Sequence, residues 1–200
     1  MKHSFDLKLN PLIQNLATHI KISDAIKKLL STVVDVTAIE KGAILVKEGN
    51  SCNELFYLNS GLFRSFYTRE NGNEVTSSFI QKNEFFTNVK GFINSVKSTE
   101  SFEALENSSI CRIKRNNYWK IMSENPILSP INSQIINNHR IELEERIKML
   151  QCLTAKEKYL FFESNYPKLI NHVQLSHIAS FLGVRLETLS RIRKNLLLDK

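Results

Sequence analysis

The sequence predicts an α+β chain in which an N-terminal β jelly roll precedes a long helix and a small all-α C-terminal domain. Three observations lead to this fold class. Short β-rich runs alternate with turn residues from Val33 to Ile113, and the apolar spacing becomes helical from Asn116 onward. Near the C-terminal end, Ala179 and Gly183 lie four positions apart in an apolar pattern that is typical of two helices joined by a tight turn.

Composition and charge set the broad class of the protein. The chain has 200 residues, of which 42% are hydrophobic and 24% are charged, as in an ordinary globular protein. A formal net charge of +7 suits a polyanionic partner such as DNA, although charge alone does not identify one. The three cysteines, Cys52, Cys111 and Cys152, have no spacing typical of metal ligands, so we expect reduced thiols and no metal site.

The segment from Met1 to Asn10 lacks the apolar core of a secretory signal. No stretch of the sequence approaches the roughly 18 apolar residues of a membrane span. We therefore expect a cytoplasmic protein that has no membrane partner.

The N-terminal part begins with helix and continues with strands. Apolar residues recur with helical spacing from Leu12 to Leu30, with a break near Ser23, which is a good N-cap residue. The evenly spaced runs that follow predict a jelly roll or sandwich, and Asn71-Gly72 predicts a hairpin turn in which both residues tolerate positive φ. The predicted runs are Val33–Ile39, Ala43–Val46, Leu55–Leu58, Leu62–Thr68, Glu74–Ile80 and Phe102–Ile113.

The long helix predicted from Ile127 to Cys152 carries two apolar stripes. Such spacing suits either a helix that pairs with the same helix of a second copy or one that packs on its own domain. Its length favours the first interpretation, so we expect a dimerisation helix over residues 126–152, after a sensor domain over residues 1–125. One stripe contains Leu128, Ile131 and Ile135; the other contains Ile136, Leu143, Ile147 and Leu150, interrupted by Arg140.

The remaining residues, 153–200, predict a helix-turn-helix domain. Thr154 and Glu157 form a capping-box pattern at the start of a helix that reaches Ser164. Ala179 provides the small side chain that two crossing helices need, and Gly183 provides a backbone with positive φ. The expected buried positions are Ile178, Leu182, Val184, Leu189 and Ile192.

The second helix of this pair, expected at about Arg185–Leu198, leaves a polar face. Arginine can hold a guanine edge with two hydrogen bonds, and glutamate can accept from the cytosine amine. Glu187 and Arg191 could also be a solvated ion pair on an ordinary helix, but the glycine pattern favours DNA reading. The predicted DNA-binding residues are Arg185, Glu187, Thr188, Ser190, Arg191 and Lys194. Trp119 and the phenylalanines are expected in the core.

Together these features resemble the Crp/Fnr family of bacterial transcription regulators. The resemblance implies a cyclic-nucleotide-binding-like jelly roll, a homodimer on a near-palindromic operator, and RNA polymerase as a further partner. It also implies that Glu187, Arg191 and their neighbours read bases. The motifs that carry it are Lys41–Leu45 with Glu48-Gly49, Leu58–Gly61 with Arg64, Glu103–Glu106, Ile178–Val184 and Glu187–Ile192.

The sequence departs from the family pattern at the effector site. Family members that bind cyclic AMP hold the ribose with a glutamate and the phosphate with an arginine. Glu84 is retained, but the arginine position falls on Ser98, with Lys97 beside it. A lysine cannot bind a phosphate with two parallel hydrogen bonds as an arginine does. The candidate effector residues are thus Glu84, Lys97 and Ser98, and the pattern argues against cyclic AMP. An unknown ligand, or none, remains open.

Two further departures concern cofactors and the C-terminal end. The sequence has no N-terminal cysteine cluster and no Cys/His pair at ligand-like spacing. An iron–sulfur or haem cofactor is therefore not expected. Only a few residues follow Lys194, so we expect a helix-turn-helix domain without the β-hairpin wing that is usual in the family.

The favoured hypothesis is a sequence-specific DNA-binding transcription regulator. The alternative is a small-ligand-binding signalling module whose DNA-binding end is vestigial. An enzyme is not expected, because no nucleophile–base, carboxylate-pair or phosphate-loop arrangement has convincing spacing.

Overall fold

A computed structural model describes residues 11–19 and 21–198. The segment Met1–Asn10, on which the expected absence of a secretory signal rests, and Lys200 at the chain end lie outside the described residues. The chain divides into two compact units, the first formed by residues 1–65 and 79–136 and the second by residues 66–78 and 137–200. The predicted boundaries at residues 125 and 152 remain predictions.

The strands form two four-stranded sheets, as the jelly-roll prediction requires, and residues 66–78, in the hairpin of the fourth and fifth strands, belong to the second unit. The first sheet has the order β1-β8-β3-β6 and the second has the order β2-β7-β4-β5. The predicted run from Phe102 to Ile113 divides into two strands, and the short strand β6 was not predicted. The strands are β1 (Val34–Ile39), β2 (Ile44–Val46), β3 (Glu54–Ser60), β4 (Phe63–Thr68), β5 (Glu74–Ile80), β6 (Phe85–Phe86), β7 (Ser101–Ala104) and β8 (Ser108–Lys114).

Side chains from both sheets form one apolar cluster. The Phe86 ring lies at its centre, 5.2 Å from the ring of Phe56 and 5.5 Å from the ring of Phe102. These aromatic contacts add to the stabilisation from buried apolar area. The cluster contains Val46, Cys52, Phe56, Leu58, Phe63, Ile80, Phe86, Phe102, Ala104 and Ile110.

Helices cover the other face of the first sheet. Tyr57, Cys111 and Ile113 point away from the inter-sheet cluster and pack with apolar side chains of the helices. Strand β3 is therefore buried on both faces, which explains why its apolar run does not alternate. These helices are α1 (Pro11–His19), α2 (Asp24–Val33), α4 (Arg115–Glu124) and the first turns of α5 (Ser129–Cys152). This unit also contains α3 (Val89–Asn94) and a short 3-10 helix, Pro126–Leu128, just before α5.

The predicted helix start at Ser23 is confirmed, because its hydroxyl accepts a hydrogen bond from the Ile26 N–H at 3.3 Å. The hairpin between β4 and β5 is also confirmed, but its turn differs in detail. Gly72 has φ +81°, whereas Asn71 is not among the described residues with positive φ. A longer loop with a hydrogen bond from the Gly72 N–H to the Arg69 carbonyl connects the strands.

The second unit contains the hairpin residues 66–78 and the C-terminal helices. Its helices are the later part of α5, α6 (Ala155–Asn165), α7 (Leu175–Leu182) and α8 (Leu186–Leu198). The predicted capping box at Thr154 and Glu157 is confirmed, because the side chain of each residue accepts a hydrogen bond from the backbone N–H of the other. Helix α7 begins at Leu175, directly after Gln174. None of the helices in the described ranges is long and apolar enough to cross a membrane.

The prediction that Trp119 lies in the core is wrong. Its side chain is 47% exposed on α4, where only Ile121 is fully buried. A short helix can bury only one stripe, and on α4 the position of Ile121 faces the sheet.

The turn after β3 depends on Gly61. Its φ is +98°, and a Cβ atom built there would lie 2.8 Å from Ser108 Cα. Nearby, the buried Arg64 guanidinium pairs with the Glu103 carboxylate, with an Nε–Oε2 distance of 2.6 Å. Gly61 and Arg64, which both belong to the family motif described above, therefore have structural roles.

We expect Gly61→Ala to lower the free energy of unfolding by about 3 kcal/mol, combining backbone strain with overpacking against Ser108. Gly49→Ala is the matched control, because Gly49 has φ +85° but open space around its Cβ position. This control should cost about 1–2 kcal/mol, from strain alone. Chemical denaturation of both variants measures the difference, and equal losses would contradict the close approach to Ser108.

Candidate DNA-binding surface and effector site

The turn between α7 and α8 has the geometry that the sequence predicts. Gly183 has φ +65°, and its N–H reaches the carbonyls of Ala179 and Ser180. Ala179 is buried, as the close approach of two helices requires. Of the five predicted apolar positions, Ile178, Leu182 and Leu189 are fully buried, and Val184 and Ile192 are half-buried.

Helix α8 exposes the face that was predicted to bind DNA. Arg185 directly precedes the helix, and Glu187 lies in its first turn. All six predicted residues are on the surface except Thr188, which is half-buried. Since residues four apart lie on one helix face, the structure brings Glu187 and Arg191 together on the same side.

Sequence reasoning missed two residues of this helix. Leu186 is 43% exposed between Arg185 and Glu187, at a position where the apolar pattern breaks. Arg193 is half-buried and hydrogen-bonds the buried Tyr159 hydroxyl on α6. Burial raises the pKa of Tyr159, and the positive charge of Arg193 opposes this shift. Arg193 therefore holds α8 against α6 and does not belong to the exposed face.

The hairpin residues of the second unit contact α7 directly. The Thr76 N–H donates to Ser180 Oγ at 3.2 Å, and the two hydroxyl oxygens lie 3.0 Å apart. Arg146 of α5 donates to the Thr76 carbonyl at 3.2 Å, and its guanidinium lies 4.1 Å from the centre of the Phe181 ring. Thr76 is completely buried, so these bonds satisfy backbone groups that water cannot reach. The first helix of the helix-turn-helix is thereby fixed to both the hairpin and α5.

Two of the three predicted effector residues have hydrogen-bond partners within their own unit. A Glu84 carboxylate oxygen accepts from the Gln81 N–H at 2.8 Å, which stabilises the turn before β6. Ser98 is buried, and its hydroxyl donates to the Glu100 carbonyl at 2.6 Å. Lys97 is exposed. Two of the three candidates thus have a structural role in their own turns.

A carboxylate lies two residues after the position where the family's cyclic AMP binders carry arginine. Buried Asn88 donates to Glu100 Oε1 at 3.0 Å and to Thr99 Oγ1 at 3.2 Å. The same side chain accepts from the Gly91 N–H at 2.8 Å and so caps α3. A negative charge held in this segment repels a phosphate, which is the opposite of what a cyclic nucleotide requires.

Ser180→Ala tests the hairpin contact, because it leaves the buried Thr76 N–H without its acceptor. We expect a loss of about 1–3 kcal/mol in the free energy of unfolding. Ser176→Ala, at an exposed position of the same helix, should change stability by less than about 0.5 kcal/mol. Both values come from urea denaturation, and a Ser180→Ala protein as stable as the control would show that this bond does not hold α7.

Comparison with known proteins supports the two-part organisation of the chain. Residues 36–125 match the cyclic nucleotide-binding domain model. Electron transport regulator A of Shewanella oneidensis is 28% identical over 167 residues, which cover 77% of this chain and 65% of that protein. The transcriptional activator protein Anr of Pseudomonas protegens is 22% identical and is covered over 80% of its length. Against the first of these relatives, the chain spans less than two thirds of the relative's length.

The fold has a close counterpart among solved structures. FixK2 from Bradyrhizobium japonicum superposes with a TM-score of 0.73 and 18% sequence identity, covering 84% of this chain and 86% of that one. At this identity the similarity shows the fold alone. Taken with the match to the cyclic nucleotide-binding domain and with the relatives named above, it makes this chain similar to regulators of the Crp/Fnr family.

Proposed function

We propose that this protein is a homodimeric, sequence-specific DNA-binding regulator of transcription. The observation that carries the proposal is the exposed face of α8, which presents Glu187 and Arg191 from a well-packed helix-turn-helix. The relatives named above support it, because they are named as regulators or as a transcriptional activator. They also support the expectation that the protein is not an enzyme.

In this proposal α8 enters the major groove. Arg191 donates two hydrogen bonds to a guanine, and Glu187 accepts from a cytosine amine. The remaining polar residues, Arg185, Thr188, Ser190 and Lys194, contact phosphates or the groove edge. Leu186 adds an apolar contact that suits a thymine methyl group.

The dimer in this proposal forms through α5. Within the first unit, Leu128, Ile131 and Ile135 of its first stripe pack on the helical layer. The second stripe is exposed, with Ile136 at 58% and Ile147 at 54%. An exposed apolar stripe of this length is costly unless a second copy covers it. Two copies would then place two α8 helices on the half-sites of a near-palindromic operator.

We assign residues 1–125 to sensing, 126–152 to dimerisation and 153–200 to DNA binding. The internal bonds of Glu84 and Ser98, with the Glu100 carboxylate nearby, argue against cyclic AMP as the effector. As a DNA-binding regulator the protein would act in the cytoplasm, with RNA polymerase as its second macromolecular partner. The alternative, a ligand-binding module that no longer binds DNA, has less support because the predicted ligand residues already have partners.

Arg191→Ala tests base reading. We expect it to weaken binding to a specific promoter fragment by about 1–3 kcal/mol and to reduce discrimination between that fragment and a random duplex, because a base contact is lost. Lys194→Ala should weaken binding to the two duplexes equally. It should also make the slope of log binding constant against log salt concentration shallower by about one.

Binding is measured by fluorescence anisotropy at two salt concentrations. Wild-type protein that binds the promoter no better than the random duplex would refute the proposed function. Tight binding of a nucleotide by calorimetry, together with that result, would favour the ligand-binding alternative.

Leu143→Glu tests the dimer. A charge in the middle of the exposed stripe should convert the dimer to monomer and weaken operator binding at least about tenfold, because the second half-site contact is lost. Leu160→Glu on α6 is the matched control, since Leu160 is also partly exposed but lies outside α5. Sedimentation velocity reports the masses. A Leu143→Glu protein that remains dimeric would place the dimer interface elsewhere.

A further inference from the structure

The first unit exposes a second apolar surface, which the proposed function does not use. We call it the α3–α4 surface, and it consists of Val89, Lys90 and Ile93 of α3 with Trp119 and Lys120 of α4. Val89, Ile93 and Trp119 are 47%, 55% and 47% exposed. Exposed apolar groups on one face, with a tryptophan among them, are typical of protein-binding surfaces.

Buried aromatic rings fix the position of this surface. Phe92 is buried between the two helices, 5.4 Å from the Tyr118 ring and 6.3 Å from the Trp119 ring. The Tyr118 hydroxyl is in turn hydrogen-bonded to Asn132 Oδ1 at 2.6 Å. Trp119 is therefore backed by packed rings while much of its own surface faces solvent. A side chain held in this way loses little conformational freedom on binding, which favours its use as an anchor.

Positive charge predominates around this surface, and the nearby Glu100 carboxylate accepts a hydrogen bond from Asn88 at the start of α3. Residues 85–99 and 107–123 contain no aspartate or glutamate. Lys90, Lys97, Lys114 and Lys120 are exposed, and within residues 11–19 and 21–198 none of the four forms an ion pair. Arg115 donates to the Ser95 hydroxyl, which ties the start of α4 to the end of α3. This excess of positive charge favours a negatively charged partner.

We propose that the α3–α4 surface docks an acidic, amphipathic segment of a partner protein. The apolar side chains provide the contact area, and the four lysines select the acidic partner and orient it. Duplex DNA fits less well, because phosphates offer nothing to cover Val89, Ile93 and Trp119. The proposal is independent of the recognition helix, since every residue involved belongs to the first unit.

The chain has a single tryptophan, so the fluorescence of the full-length protein reports on this surface alone. The probe is a synthetic helical peptide of about 16 residues, with leucines at positions i, i+3 and i+4 and glutamates elsewhere. We expect a saturable blue shift of the Trp119 emission as the peptide covers the ring. A matched peptide with glutamine in place of glutamate should bind much more weakly.

Variants of the protein separate the contribution of the lysines to peptide binding from that of the apolar side chains. The double variant Lys90→Gln/Lys120→Gln should weaken peptide binding about fivefold, as expected for two exposed charge pairs. Ile93→Ser should weaken it by a similar factor without changing its salt dependence. Lys21→Gln/Lys28→Gln is the charge-matched control and should leave binding unchanged, since both lysines are exposed outside this surface. Binding of promoter DNA by each variant checks that the protein is folded.

Three outcomes would overturn the proposal. The first is no emission shift, or equal binding of the glutamine peptide. The second is a larger shift with random duplex DNA than with the acidic peptide, which would assign the surface to nucleic acid. The third is an emission maximum that changes with protein concentration in step with dimer formation, which would assign the surface to a second copy.

Discussion

The contacts made by the two ends of α5 are the constraint on which most of this structure depends. Its first turns supply Ile131 and Ile135 to the helical layer that covers the first sheet, and without that layer Tyr57 and Cys111 would face water. Its last turns supply buried Met149 and Arg146 to the second unit. The stripe that contains Ile136 and Ile147 takes part in neither set of contacts and stays exposed within the chain.

The second unit shows how a small group of helices can hold α8 in a fixed orientation. Leu182 of α7 and Leu189 of α8 are fully buried, which holds the two helices against the rest of the unit. Gly183 allows the turn between them to be short. Polar contacts then set its orientation, with Arg193 bonded to Tyr159 and Ser180 bonded to Thr76. Polar contacts have directional geometry that apolar contacts lack, so a few of them can select one arrangement among several that bury similar area.

Much of the fold could be predicted because local signals and burial agree. Turn residues between β-rich runs predicted the jelly roll, and the Ala179–Gly183 spacing predicted the helix-turn-helix. The rest depends on which side of an element is covered by others. Trp119 lies outside because α4 buries only the position of Ile121. In the sequence, Arg193 and Arg191 are both basic residues of α8 that cannot be told apart. Only the structure shows that Arg193 contacts Tyr159, whereas Arg191 is exposed. The internal partners of Glu84 and Ser98 are backbone groups, which residue types do not reveal.

The contact between the hairpin and α7 has a consequence for how the protein responds to its ionic environment. It consists of two hydroxyl groups, backbone groups and one arginine stacked on a ring, and it contains no pair of opposite charges. Dissolved ions screen opposite charges at the surface but have little effect on buried hydroxyl bonds or on stacking. The orientation of α7 should therefore stay constant over a wide range of salt concentration. In the proposed function, a change in DNA binding with salt would then originate at the contacts between α8 and the phosphates.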